Sequence, residues 1–178
     1  MAWYALFVMT GYEHKTVNVI SQFWHIDGLK AFVPMYDAHF RKSGKVLLEK
    51  RRCIPGYVFL ESETRGLEFY LSVRSYIYRT EHALKLLRYG VGHLDLSFEM
   101  NEDDHSFLRK LLNDEHCIEM SRGYIEGTNV IVTDGSLIGL EGLIKRVNRH
   151  KMEATIEASF MGLARNVTVG LEIVKKLP

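Results

Sequence analysis

Apolar residues in the first hundred or so positions follow two patterns, one typical of strands and the other of helices. The strand-like runs, rich in aromatic and aliphatic residues, are residues 3–9, 29–36 and 57–60. The segments with apolar residues at helical spacing are 13–24, 65–74 and 101–113. Asn101 is placed to cap the last helix, and Pro34 suits an edge strand or a bend. Short strands and loops are expected over 76–98. The pattern predicts an α+β fold, with helices against a mainly antiparallel sheet.

Residues 40–52 interrupt this pattern with a basic segment around the turn signal Ser43-Gly44, and they predict a β-hairpin or a loop. Its basic residues are Arg41, Lys42, Lys45, Lys50, Arg51 and Arg52, against the single acid Glu49. Such a hairpin could track DNA, RNA or an acidic protein surface, or it could be an ordinary solvated hairpin. The sequence leaves these alternatives open.

After residue 121 the helical period disappears and short strand-like segments recur between turn signals. The predicted strands are 129–133, 141–147, 152–159 and 166–169. About five short strands in ~55 residues predict a small SH3-like β-barrel. Gly142 falls inside the second of these strands, where a side chain would collide with backbone or force a bulge. We therefore predict a domain at 1–115, a linker at 116–123 and a barrel domain at 124–178.

Charge and cysteine usage narrow the possible functions. The net charge of the 178 residues is only +1, but an acidic segment at 101–121 separates two mildly basic parts. Cys53 and Cys117 are expected to be reduced and structural. Motifs for hydrolases, phosphate-binding loops and zinc proteases are missing, so we expect no enzymatic activity, no cofactor and no metal. Because no apolar run is long enough for a membrane span and the start does not look like a signal peptide, we expect a cytoplasmic protein, as a monomer.

The C-terminal segment 126–144, with its Asp-Gly turn and spaced glycines, resembles the KOW motif of the NusG family of transcription elongation factors. The N-terminal part resembles the same family in four short motifs that occur in the family's order. These motifs are Trp3-Tyr4-Ala5-Leu6, Thr10-Gly11-Tyr12-Glu13, Val33-Pro34 and Pro55-Gly56-Tyr57-Val58-Phe59. Together the two resemblances cover nearly the whole chain, and they imply a NusG-type N-terminal domain followed by a KOW barrel.

The resemblance implies that the N-terminal domain binds the clamp helices of bacterial RNA polymerase through an apolar depression. Candidate residues for that contact are Tyr4, Phe7, Ile54, Pro55, Gly56 and Tyr57. Three positions depart from the family pattern: Ile54 replaces an aromatic residue, Ser136 replaces a proline, and Met161-Gly162-Leu163 replaces a Phe-Gly-Arg-like turn. Because that turn belongs to a surface for Rho or the ribosome in general NusG proteins, the departures favour a specialised antiterminator of the LoaP type.

A basic turn at 145–151 is the feature that most distinguishes the predicted barrel. Its candidate RNA-binding residues, with one further residue expected on the same face, are Lys145, Arg146, Asn148, Arg149, His150, Lys151 and Arg165. Lys and Arg would meet phosphates of an RNA hairpin in a leader transcript, while Asn148 and Arg149 would reach base edges. The alternatives are an ordinary solvated turn, recruitment by non-template DNA, and a general NusG factor that acts as a protein adaptor.

Overall fold

The computed structural model describes residues 1–90, 96–160 and 163–177, without the side chains of 40–42, 46, 159–160 and 163. Contacts divide the chain into two compact units. The first unit comprises Met1–Val33 and Pro55–His105. The second comprises Pro34–Ile54 and the described residues from Ser106 onward.

Three helices and twelve strands occur in the described residues. In chain order they are β1 (Ala2–Val8), α1 (Glu13–Phe23), β2 (Lys30–Phe32), β3 (Met35–Lys42), β4 (Lys45–Arg52), β5 (Tyr57–Ser62), α2 (Gly66–Arg79), β6 (Ala83–Leu86), α3 (Glu102–Leu111), β7 (Cys117–Ile118), β8 (Ser121–Glu126), β9 (Asn129–Asp134), β10 (Ile144–Asn148), β11 (Glu153–Phe160) and β12 (Leu163–Leu177). The mixed α/β composition agrees with the predicted α+β class. No described helix is both long and apolar enough to cross a bilayer.

The first unit is built on a four-stranded antiparallel sheet with the order β2-β5-β1-β6. Its central strand β1 is almost wholly buried, as the apolar run at 3–9 predicts. Trp3 meets Phe32 edge to face on one side of this strand, with ring centroids 5.1 Å apart. Tyr4 stacks on Phe69 of α2 on the other side, at 3.8 Å. Helices α1 and α2 lie at the predicted places, although α2 extends five residues beyond the predicted end at 74.

The helix predicted over 101–113 is α3, which begins at Glu102 and ends at Leu111. The predicted cap is confirmed, because the side-chain oxygen of Asn101 accepts a hydrogen bond from the backbone N–H of Asp104 at 2.8 Å. Glu102, Asp103 and Asp104 occupy the first turn, where negative charge favours the helix dipole.

The prediction of one strand over 29–36 is wrong. β2 ends at Phe32 in one sheet, and β3 begins at Met35 in another. Pro34 lies between them and has no N–H to donate to a sheet ladder, so pairing is interrupted there. The carbonyl of Pro34 instead accepts the backbone N–H of Cys53, at 3.1 Å.

The second unit contains two sheets. β4, β3 and β7 form a three-stranded sheet in that order, and the predicted basic hairpin is its antiparallel pair β3–β4. The other sheet has five strands in the order β10-β11-β12-β8-β9 and is called the C-terminal sheet below. Its longest strand, β12, pairs antiparallel with β11 as far as Gly170 and then parallel with β8 from Leu171 onward.

The glycine prediction in this unit is also wrong. Residues Glu141–Leu143 form a 3-10 turn ahead of β10, and a Cβ at Gly142 would meet nothing within 4 Å. The close approach occurs at Gly170 in β12, where a Cβ would collide with the carbonyl oxygen of Asp37 in β3. β3 therefore packs against β12 through a backbone contact that only a glycine allows.

The predicted linker at 116–123 contains β7 and the first residues of β8. Cys117 and Ile118 of β7 pair in parallel with Met35 and Tyr36, so this segment takes part in the three-stranded sheet. The proposed division into domains at 1–115 and 124–178 stays a prediction. The turn predicted at Met161-Gly162 lies outside the described residues.

Candidate binding surfaces

The basic turn, residues 145–151, comprises residues 145–148 of β10 and the first residues of the connection from β10 to β11. Asn148 pairs with Glu153 across the two strands, and its side-chain oxygen accepts the backbone N–H of Lys151 at 3.1 Å. Met152 then reverses the chain with φ 54° and is buried. Because Asn148 and Met152 hold the loop from inside, Lys145, Arg146, Arg149, His150 and Lys151 are left exposed on one tight turn.

A groove of about 700 Å³ runs beside this turn. It opens where β12 passes Gly170 and stops pairing with β11. Its lining residues come from the turn and from β12: Arg146, Val147, Asn148, Arg149, His150, Met152, Glu172 and Ile173. The groove therefore has a basic rim on one side and the edge of a strand on the other.

Carboxylates neutralise only part of the positive charge of the basic turn. Lys145 lies 3.2 Å from Glu157, but both side chains are about half exposed, so the pair is weak and easily exchanged for another anion. Glu172, which lines the groove, is itself paired with Arg122 of β8 at 3.2 Å. Within the described part of the chain, Arg146, Arg149 and Lys151 have no carboxylate within 4.0 Å. These three cations therefore leave positive charge available on the turn.

Arg165 lies away from residues 149–151, the end of the basic turn that is next to Glu153. Arg165 lies opposite Ala158, whereas the turn adjoins Glu153 at the other end of β11. Five residues of extended strand separate the two positions, which is about 17 Å. Arg165 is exposed, and its predicted share in RNA binding stays a prediction.

The basic hairpin β3–β4 uses part of its charge inside the second unit. Lys50 pairs with Glu115 at 2.7 Å, which raises the pKa of Lys50 through that hydrogen bond. Arg51 reaches Glu153 of β11 at 3.2 Å, and the hydroxyl of Tyr36 donates to the same carboxylate at 3.1 Å. Lys45 is exposed near the tip, and the side chains of Arg41 and Lys42 lie outside the described ones. Arg52, half-buried, completes the set predicted for nucleic-acid contact.

The predicted apolar contact surface is partly assembled in the first unit. Phe7 and Tyr57 are cross-strand partners with ring centroids 5.5 Å apart, and both are half-buried. Pro55 is exposed beside them, and Gly56 turns the chain with φ 84°. These residues form one aromatic surface at the end of β1 and β5.

Two residues predicted for this surface belong to the interior. Tyr4 is fully buried, and its hydroxyl donates to the carbonyl of Thr64 at 2.9 Å. Burial, with the charge of Glu99, raises the pKa of Tyr4 to about 12. Successive side chains of a strand point to opposite faces, so Tyr4 cannot share the face of Phe7. Ile54 is 8% exposed and contributes little accessible area.

A buried carboxylate shapes the aromatic surface. Glu13 is 0% exposed, and its two oxygens accept the backbone N–H of Gly11 at 2.9 Å and of Gly56 at 2.7 Å. It thus ties the start of α1 to the turn that precedes β5. The motif Thr10-Gly11-Tyr12-Glu13 contains Glu13 but predicts no role for it, because its second hydrogen-bond partner is 43 residues away.

Sequence reasoning also missed a group of residues that follows β1 and is built around the largely buried side chain of His82. Met9 and Tyr12 are exposed, and the ring of His82 lies 3.7 Å from that of Tyr12. Lys15 completes the group, with its ammonium 5.6 Å from the Tyr12 ring centroid. His82 could not be placed because the pattern over 76–98 is ambiguous.

Both cysteines lie in the interior of the second unit. Cys53 and Cys117 are buried, and burial raises the pKa of the Cys53 thiol to about 12, far from a reactive thiolate. Among the described residues no group of three or more His, Cys, Asp or Glu side chains could hold a metal ion.

A family model matches the N-terminal part of the chain. Residues 1–100 match the family model NusG, described as transcription termination factor nusG. This is more than half of the chain. No curated protein sequence matches it.

Proposed function

Because the chain belongs to the NusG family, with a role in transcription elongation or termination, we propose that it is a non-enzymatic antitermination factor that binds both RNA polymerase and a nascent RNA hairpin. The five-stranded C-terminal sheet would be its KOW barrel. The observation that carries this proposal is the basic turn, with its uncompensated cations beside a groove. A specialised factor of the LoaP type, recruited by RNA, accounts for that turn.

RNA recognition would use shape and phosphates first. An exposed turn with Arg146, Arg149 and Lys151 fits the minor groove and backbone of an A-form stem better than its deep major groove. Asn148 is engaged by the backbone of Lys151 through its oxygen, which leaves its amide hydrogens as the donors for a base edge. Each phosphate contact should contribute about 0.7–0.9 to the slope of log affinity against log salt.

The test compares a structured leader hairpin with a scrambled RNA of equal length at two salt concentrations. We expect tighter binding to the hairpin, and Arg149→Ala should weaken it while reducing the salt slope by about 0.7–0.9. Arg165→Ala is the matched control, since it removes the same charge about 17 Å from the turn. Equal losses in the two variants, or equal binding to both RNAs, would show that the turn is not the specific RNA surface.

Polymerase binding would use the aromatic surface of Phe7, Tyr57 and Pro55, extended by Met9 and Tyr12. Aromatic side chains held at a sheet end are favoured anchors for a partner helix pair such as the polymerase clamp helices. Tyr57→Ala should reduce capture of bacterial RNA polymerase by the full chain. Tyr78→Ala is the control, because Tyr78 lies on α2 and is 88% exposed. Unchanged capture by Tyr57→Ala would remove this surface from the proposal.

The second candidate is a general NusG factor that couples transcription to Rho or the ribosome. It is favoured by the family description as a termination factor. It requires no specific RNA, so hairpin and scrambled RNA should then bind equally and weakly. The test is a pull-down of Rho by the full chain. Capture of Rho that is equal for the natural protein and Arg149→Ala would support this candidate over antitermination.

A further inference from the structure

We infer that Tyr124 and Lys175, on neighbouring strands of the C-terminal sheet, form a stacking site for one unpaired RNA base that flanks the hairpin. This inference rests on the proposed RNA-binding function and deepens it, because it names the part of the RNA that the basic turn does not contact. The ligand class is a single-stranded nucleotide adjoining an A-form stem.

The position of the pair follows from the register of β8 and β12. Glu172 faces Arg122, and the next pair to contact across these strands is Lys175 with Tyr124. Glu172 also lines the groove beside the basic turn. Tyr124 is two residues beyond Arg122 along β8, which corresponds to about 7 Å. The aromatic ring therefore lies two residues further along the sheet than the Arg122–Glu172 pair, whose glutamate lines the groove.

The geometry of the pair suits a base and its phosphate. The ammonium of Lys175 lies 5.0 Å from the centroid of the Tyr124 ring, in a cation–π contact. Tyr124 is half-buried, so its ring is held in place, whereas Lys175 is exposed on a long flexible stem. A base that stacks on the ring would replace the ammonium, and the displaced ammonium would then meet the phosphate of the same nucleotide. Base stacking on an aromatic residue is generally stronger than an exposed cation–π contact.

An unpaired base is favoured over a paired one for a steric reason. Both faces of a base inside a stem are already stacked, and side chains cannot read the deep major groove of A-form RNA. A flanking single-stranded nucleotide can splay out and present a face to Tyr124. Lys176, which is exposed on β12, supplies further positive charge for the backbone that follows.

The experiment uses the full chain and two RNAs, a blunt hairpin and the same hairpin with a three-nucleotide flank that carries 2-aminopurine. The natural protein should bind the flanked RNA about tenfold more tightly than the blunt one, with quenching of the 2-aminopurine fluorescence. Tyr124→Leu should abolish both the gain and the quenching while it binds the blunt hairpin normally. Tyr124→Phe keeps an aromatic face and should retain both.

The other outcomes distinguish a failure of the stacking site from a failure of RNA binding as a whole. If the natural protein binds both RNAs equally, the stacking site is wrong while hairpin recognition by the basic turn stands. If Tyr124→Leu weakens both RNAs equally, Tyr124 serves the fold and the stacking site is wrong. If the natural protein binds neither RNA above the scrambled control, the proposed RNA-binding function fails and this inference fails with it.

Discussion

The contact between β3 and β12 predicts a large effect for a single methyl group at Gly170. A Cβ there would lie 2.8 Å from the terminal carbon and 2.9 Å from the sulfur of Met120, and closer still to the carbonyl oxygen of Asp37. The flexible Met120 side chain can move aside. The carbonyl cannot move unless β3 shifts away from β12, since both strands are held by their own ladders. Overpacking of this kind costs about 1–3 kcal/mol, and we expect Gly170→Ala to lie near the upper end.

Urea denaturation gives the measurement. With an m-value of about 2 kcal/mol per molar, a loss of about 2–3 kcal/mol lowers the unfolding midpoint by about 1 M or slightly more. Hydrogen exchange should also show faster exchange in β3 and β4, because their packing on β12 is loosened. Gly142→Ala is the matched control, since a Cβ at that position meets nothing within 4 Å and should leave stability unchanged or raised by about 0.4–1 kcal/mol. A midpoint for Gly170→Ala equal to that of the control would refute the reasoning.

Three further substitutions test other contacts. Tyr36→Phe removes the hydroxyl that donates to Glu153 and should cost about 1–3 kcal/mol at neutral pH. Burial and then the Glu153 charge raise the pKa of Tyr36 from 10.0 to about 12, so this stabilisation is complete below pH 10 and is lost as the pH approaches 12. The gap between the natural protein and Tyr36→Phe in pH-dependent unfolding should therefore narrow above pH 10, and a constant gap would contradict the assignment. Glu13→Gln replaces one of two charge-assisted acceptors by an amide that repels a backbone N–H, so thermal unfolding should show a loss of about 2–3 kcal/mol, and no loss would contradict the role of Glu13. Asn101→Ala should cost about 1 kcal/mol, whereas Asn101→Asp should keep the cap, and equal melting temperatures for the two would exclude capping.

Local patterns predicted the elements whose causes are local. The apolar run of β1, the helical face of α1 and the cap of α3 each depend on residues within a few positions of one another. The two glycines show where local patterns fail: the close approach predicted at Gly142 occurs at Gly170 instead. Whether a glycine is required depends on what approaches it, and Gly170 meets a carbonyl 133 positions earlier in the chain, at Asp37. No spacing rule in the sequence encodes that approach.

One residue of the predicted polymerase contact, Tyr4, could have been excluded from the sequence alone. Strand alternation alone separates Tyr4 from Phe7, because residues an odd number of positions apart face opposite sides of a strand. The resemblance to the family assigned both Tyr4 and Phe7 to one contact surface, although strand alternation predicts opposite faces for them. The group at Met9, Tyr12 and His82 was out of reach for a different reason, since His82 lies in a segment without a clear period. Its contact with Tyr12 depends on how β6 returns to β1.

The two basic stretches of the chain differ in how much of their charge is paired with carboxylates, which composition alone does not show. Six basic residues at 40–52 outnumber the four Lys and Arg residues at 145–151. In the structure, however, Lys50 and Arg51 of the first stretch are paired with Glu115 and Glu153, so a phosphate would have to displace a carboxylate from each. Arg146, Arg149 and Lys151 have no carboxylate partner among the described residues, so a phosphate would bind them without displacing one. Because binding to RNA depends on the charge available rather than the charge present, the shorter stretch is the stronger candidate. Glu153, the partner of Arg51, is mostly buried, so neutralising Arg51 should lower the urea midpoint of the chain more than its RNA affinity, and neutralising Arg149 should do the reverse.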